Sequence, residues 1–194
     1  MRYSAAHTAS TRRRIVDGAS AALRARGVAG VGVANLMRRA GLTHGGFYSH
    51  FSSKDALVAE AIDAAGEQSV RNLRKVVQRA GDKSALRAIV DAYLSTAHRD
   101  APERGCAFAT LAGELARESP AARRALTVRL EGLLEFLGEH VHVPDRRGVS
   151  RRRQAMAVLS CLVGALMLSR AVDDPETSGE ILAAARRHLT EPAN

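Results

Sequence analysis

The sequence predicts an all-α fold of about nine helices, on three observations. Apolar residues recur at three- and four-residue spacing along the chain, β-branched and aromatic residues never alternate for long, and glycine and proline mark the breaks between periodic stretches. With 194 residues, the chain is long enough to bury a core without a disulfide or metal staple. Its two cysteines, Cys106 and Cys161, sit in no CxxC or Cys/His cluster, which argues against a zinc site and against a secreted disulfide framework. No metal, cofactor or catalytic residue is expected.

The first nine residues read as a flexible arm. A first helix follows from Ser10 or Thr11 to Arg26, with Ile15, Ala19, Ala22 and Leu23 on one face and Gly27 ending it. A second covers about Val33 to Ala40 with Leu36 and Met37 inward. Gly41 supplies a positive φ for a sharp turn, Leu42 packs beneath it, and Thr43 caps a third short helix to about His50. Ser52 or Ser53 caps a long fourth helix to about Ala80, carrying Leu57, Ile62, Val70, Leu73 and Val77. Later helices are expected at about 83–98, 106–117, 120–142, 150–171 and 176–189. Gly81-Asp82, Ala101-Pro102-Glu103, Ser119-Pro120, Pro144-Asp145 and Asp174-Pro175 punctuate them. The longest uncharged run, Gln154 to Ser169, has 16 residues and falls short of the roughly 18 that span a bilayer, so it reads as a core helix. No apolar block resembling a signal peptide appears near the start. A cytoplasmic location with no membrane partner is expected.

The net charge of +9 is unevenly placed. Residues 1–50 hold eight arginines (Arg2, Arg12, Arg13, Arg14, Arg24, Arg26, Arg38 and Arg39) against the single acid Asp17, a balance of +7. A basic head on a nearly balanced body is what phosphate binding at one end produces. An arginine-rich coding bias explains the count but not the asymmetry.

The strongest signal is Val33 to Leu57, VANLMRRAGLTHGGFYSHFSSKDAL. Helix, glycine turn and capped helix are the parts of a helix-turn-helix. A helix enters the major groove only where its leading residues are small or polar, and Thr43, His44, Gly45 and Gly46 satisfy that. Tyr48 and His50 bring polar-tipped rings within reach of phosphates, Lys54 adds a cation, and Phe47 and Phe51 point back as core anchors. This stretch resembles the DNA-binding domain of the TetR/AcrR family of regulators, over about residues 11–57. The resemblance implies that Thr43, His44, Gly45 and Gly46 face bases or the groove floor, while Tyr48, His50 and Lys54 hold phosphates. One departure stands out. Family members usually carry Thr or Ser near the start of helix two, as a cap and phosphate contact, where this chain has Val31 and Gly32. Arg38 or Arg39 would compensate. With two glycines in the reading helix, phosphate contacts and DNA shape would carry more of the recognition.

The resemblance implies a domain layout of arm 1–9, helix-turn-helix domain 10–52, connecting helix 53–80, and an effector-sensing and dimerisation domain 81–194. The expected partners are double-stranded operator DNA, a second copy of the chain and an unknown small-molecule effector. Tyr93, Cys106, Phe108, Leu111, Phe136, His140 and Met156 are pocket candidates, and most of them also fit plain core packing. Leu159, Val163, Leu166, Met167, Ile181 and Leu182 are candidates for the dimer interface, or for monomer core. Cys106, following Gly105 at a helix start and near Arg104, is either an electrophile sensor with a stabilised thiolate or a small apolar filler. Cys161 is expected to be buried and inert. The sequence shows no phosphate loop, HExxH, nucleophile elbow or paired carboxylates, which argues against an enzyme. A ligand-released repressor is the favoured expectation. An activator and a non-specific DNA-binding protein are the alternatives.

Overall fold

The computed structural model describes residues 5–81, 84–140 and 148–191. Among them are nine α-helices, two short 3-10 helices and no strand: α1 (Ala5–Arg26), α2 (Val33–Arg39), α3 (Lys54–Ala80), α4 (Ala85–Tyr93), α5 (Thr96–Arg99), α6 (Ala107–Leu115), α7 (Pro120–His140), α8 (Arg151–Ala171) and α9 (Pro175–Thr190), with 3-10 helices at His44–Ser49 and Pro102–Arg104. The all-α expectation holds. The chain divides into two compact units, a head of Met1–Glu67 with Cys106–Arg129 and a body of Gln68–Gly105 with Leu130–Asn194.

In the head, α1 starts five residues earlier than the periodicity suggests. Ala5, Ala6 and Ala9 are strong helix formers and no glycine or proline interrupts them, so much of the expected arm is helical. Residues 1–4, Arg2 among them, lie outside the described residues. Gly27 ends α1 at φ 72°, its N–H bonded to the Leu23 carbonyl at 2.8 Å. One buried cluster joins Ile15 and Leu23 of α1, Met37 of α2, Phe47 of the first 3-10 helix, Phe51 after it, Leu57 and Ile62 of α3, and Leu111 and Leu115 of α6. Each such side chain contributes about 1.5–3 kcal/mol through burial. The head therefore reaches well beyond the helix-turn-helix and includes the first half of α3 and all of α6. Charged side chains brace it. Arg12 grips Glu60 through both terminal guanidinium nitrogens and lies 4.4 Å above the Phe51 ring. Arg129 of α7 bonds Asp63 at 2.5 Å and reaches Glu67 at 3.4 Å. A Cβ at Gly66 would come within 2.6 Å of the Arg129 side chain, so α3 needs glycine there.

In the body, the buried faces belong to Ile89, Val90 and Tyr93 of α4, Val158, Leu159, Leu162 and Leu166 of α8, and Leu182 of α9. The helix expected over 83–98 is broken. It stops at Tyr93, and Ser95 begins α5 by accepting the His98 N–H at 3.1 Å, the competition with helix that short hydroxyl side chains offer. Asp174 caps α9, accepting from the Thr177 N–H at 2.7 Å with Pro175 in the first turn. Hydrogen bonding from the Thr177 side chain, and then from its N–H, holds the Asp174 carboxyl below the ordinary carboxylate range. Arg170 of α8 ties down α5 through the carbonyls of His98 (2.7 Å) and Arg99 (3.0 Å). Arg186 of α9 reaches the Leu94 carbonyl at 2.7 Å. Glu131 of α7 and Arg152 of α8 pair through both oxygens at 2.6 and 2.9 Å. Of the described helices, α8 alone is long and apolar enough to cross a membrane, and 44% of its apolar window is buried inside the chain. The expected linker Pro144-Asp145 and residue Asp82 lie outside the described residues.

Candidate nucleic-acid interface

The reading segment is built from α2, a glycine turn and the 3-10 helix His44–Ser49. Gly32 stands at the N-cap of α2 with no side-chain cap bond, and Val31 is buried at 4% exposure, so the missing hydroxyl is replaced here by a core contact. At the other end Gly41 takes φ 74° and the Leu42 N–H bonds the Met37 carbonyl at 2.9 Å, the sharp turn expected. Thr43 occupies the next N-cap, but its side chain makes no cap bond. The backbone does the work, with Gly46 N–H on the Thr43 carbonyl at 3.1 Å. That three-residue bond belongs to a 3-10 helix rather than the α-helix expected. Two glycines in six residues leave too little helix propensity for an α-helix to form before Ser53 caps α3 through the Ala56 N–H (3.1 Å).

Phe47 and Phe51 are both buried at 2% exposure with rings 5.6 Å apart, and they anchor the segment as expected. Tyr48 stands edge-on to Phe47 and is 70% exposed, carrying its hydroxyl into solvent. Thr43, His44 and Gly45 are exposed, while Gly46 and His50 are half-buried. The His50 Nδ1 is buried with no hydrogen-bond partner among the described residues. Arg38 is exposed, with a loose bond of 3.2 Å to the Asn35 side chain. The Lys54 ammonium bonds the Val28 carbonyl at 3.3 Å and so holds the α1–α2 loop.

The four glycines of this region fall into two kinds. Gly27 and Gly41 adopt positive φ, which L side chains rarely tolerate. Gly45 and Gly46 have no positive φ. A Cβ at Gly45 would meet nothing within 4 Å, and one at Gly46 would make ordinary contacts at 3.7 Å. Neither the backbone nor the packing of this chain requires glycine at 45 or 46.

The head's positive charge is partly committed internally. Arg12 is held by Glu60, whose bond raises its pKa further, and Arg24 is buried at 3% exposure with Nε on the Ser20 carbonyl at 3.2 Å. Arg13, Arg14, Arg26, Arg38 and Arg39 remain on the surface. Sequence reading missed Glu114, the only ionisable residue of α6. Its carboxylate accepts the N–H groups of Val28 (2.9 Å) and Ala29 (3.1 Å). A lone acid in an otherwise apolar helix was the available signal.

The expected pocket residues divide between the units. Cys106, Phe108 and Leu111 belong to the head, and Leu111 is part of its core cluster. Tyr93, Phe136, His140 and Met156 belong to the body. Tyr93 packs edge-on against His98 at 4.7 Å, and Phe136 lies 4.5 Å from His140, whose Nδ1 bonds the Phe136 carbonyl at 2.8 Å. Met156 is not enclosed but 40% exposed on α8. Cys106 is buried at the N-cap of α6, and Arg104 is turned to Glu103 at 3.2 Å. Cys161, expected to be buried, is half-buried, and desolvation raises its thiol pKa. Of the dimer candidates, Leu159, Leu166 and Leu182 are buried within the body, Val163 and Ile181 are half-buried, and Met167 is exposed.

Residues 15–61 match the tetR family of bacterial regulatory proteins, and residues 83–185 match the tetracyclin repressor-like C-terminal domain. The chain belongs to this family. Solved structures agree in fold. A TetR transcriptional regulator from Chloroflexus aurantiacus is 24% identical, with TM-score 0.77 over 96% of this chain and 97% of that one. The reduced form of E. coli NemR is 20% identical, with TM-score 0.75 over 95% and 100%. A TetR-family regulator from Agrobacterium tumefaciens is 19% identical, with TM-score 0.73 over 94% and 99%. No curated protein sequence matches the chain.

Proposed function

We propose that this chain is a cytoplasmic, ligand-responsive repressor that binds pseudo-palindromic operator DNA as a homodimer. The observation that carries the DNA reading is the pair Gly45 and Gly46, glycines without an internal reason, leading a segment whose Tyr48 and exposed arginines offer phosphate contacts. Thr43 and His44 meet base edges in this reading, Tyr48 and His50 the backbone. Lys54 acts through the loop it holds.

For the dimer, the support is the outward face of α8. Met156, Ser160, Val163, Gly164, Met167 and Leu168 recur at helical spacing, with Leu168 59% exposed and small residues in the middle for close backbone approach. Leu159 and Leu166 serve the body's own core beneath that face. Ile181 adds to the interface from α9. Two heads held by such a dimer would meet successive major grooves, which is why a two-fold operator is expected.

The effector reading rests on Tyr93, Phe136 and His140, aromatic and polar groups within the body. The burial of Cys106 favours a non-covalent effector over thiol capture. Maleimide labelling at neutral pH separates the two routes: rapid modification of Cys106 would reinstate the thiol. The first test of the whole reading is binding to the chain's own upstream intergenic DNA against scrambled DNA at two salt concentrations. A specific site on the order of 10⁻⁸ M, at least about a thousandfold tighter than scrambled DNA, supports it. Equal, salt-labile binding to both DNAs would favour a non-specific protein.

A further inference from the structure

Resting on that reading, we infer that Glu114 is a positioning residue for DNA recognition: its carboxylate holds the α1–α2 loop and fixes where α2 and the reading segment begin. The two oxygens divide the work. Oε2 accepts the Val28 N–H at 2.9 Å and Oε1 the Ala29 N–H at 3.1 Å. Hydrogen bonds to an ionised acceptor are roughly twice as strong as neutral ones, and this pair spans two consecutive peptide units. From the other side Lys54 donates to the Val28 carbonyl at 3.3 Å, so α6 and α3 grip one residue of the loop between them.

Two further features of the loop agree. Gly27 has φ 72°, and a Cβ there would lie 2.5 Å from Glu114 Oε2 and 3.0 Å from Oε1, so the carboxylate sits where only glycine leaves room. Downstream, α2 starts at Val33, after an N-cap glycine, Gly32, that has no side chain to cap it. An uncapped seven-residue helix has little intrinsic stability and takes its position from what holds its entry. In this chain that is the buried pair Val28 and Val31 together with the Glu114 clasp. Glu114, with the two valines, thus fixes the loop that leads into the uncapped start of α2. It does so from α6, so that a shift of α6 is passed directly to the backbone leading into the reading segment.

The test uses the full chain and a site it selects from a random DNA pool. Wild type, Glu114→Ala, Glu114→Gln and Glu114→Asp are compared by amide hydrogen exchange and by affinity for the selected site and for scrambled DNA. The inference expects Glu114→Ala to speed exchange at Val28 and Ala29 with no change in α8 and α9. It also expects about a tenfold weaker affinity for the selected site, an effect of the size of one charge-assisted hydrogen bond, with scrambled-DNA binding unchanged. Glu114→Gln, which keeps the shape and loses the charge, falls between, and it carries the test alone if Glu114→Ala does not fold. Faster exchange with unaltered affinity for the selected site, or unaltered exchange, overturns the inference while leaving the regulator reading intact. A wild-type protein that selects no site ends both.

Discussion

The reading segment and the outward face of α8 both expose residues for which the chain's own packing has no use, and they are of opposite kinds. At the reading segment these are glycines, a tyrosine and a threonine, beside exposed arginines. On α8 they are Met156, Met167 and Leu168. A surface that leaves room and offers hydrogen bonds suits a polar, negatively charged partner. An apolar helical face suits another apolar face. Beneath each surface lies ordinary core: Phe47 and Phe51 in the head, Leu162 and Leu166 in the body, all at 2% exposure or less. The difference teaches that function here is read from residues whose identity the fold does not demand.

The largest effect follows from separating face from core along α8. Leu166 is fully buried and Leu168, two positions on, is 59% exposed. Leu166→Ala should cost about 2–5 kcal/mol of unfolding free energy through lost packing and the cavity left behind. Leu168→Glu should leave chemical denaturation of the dissociated chain nearly unchanged and weaken self-association by about tenfold or more in sedimentation equilibrium, because an unpaired charge would be buried between copies. If Leu168→Glu left association intact, the apolar face would have to meet something other than a second copy.

At the reading segment the corresponding change is Gly45→Glu. A Cβ there has open space and the backbone has no positive φ, so the melting temperature should move little. A side chain with negative charge should block close approach and repel phosphates, lowering affinity for a specific site on the order of a hundredfold, about 2.7 kcal/mol. Fluorescence anisotropy with labelled DNA reads it. Unchanged affinity would show that position 45 faces away from the DNA.

Much of this was legible in the sequence, for identifiable reasons. The helices follow from apolar period and from breaks at glycine and proline. The turn at Gly41 and the anchors Phe47 and Phe51 follow from local chemistry, because each is decided by residues a few positions away. What escaped was decided at long range. The Glu114 clasp joins residues 86 and 85 positions apart, and the Arg12–Glu60 bridge joins residues 48 apart. Helical periodicity marks Leu159, Leu166, Met167 and Leu168 alike as apolar, but not which side of a two-faced helix packs inward. The missing cap at Gly32 is visible in the sequence, while the bonds from Glu114 of α6 to the loop before it are not.

The smallest expected effect concerns the body alone. His98 is packed against Tyr93, with Nδ1 on the Tyr93 carbonyl at 2.7 Å, and burial pushes its pKa below the ordinary 6.5, helped by the nearby Arg170 charge and opposed by the carbonyl bond. A depressed imidazole pKa means that the unfolded chain binds a proton more readily than the folded one below that value. Its contribution to stability is therefore intact above about pH 6.5 and is lost as pH falls through the folded-state pKa below it. Amide exchange in α5 and in the part of α8 around Arg170 should quicken between pH 7.5 and 5.5 after correction for the intrinsic rate, and His98→Asn should flatten that dependence. If the variant kept the full slope, protonation elsewhere would be responsible, and the body's polar cluster would be no more pH-sensitive than the arginine–carboxylate bridges of the head.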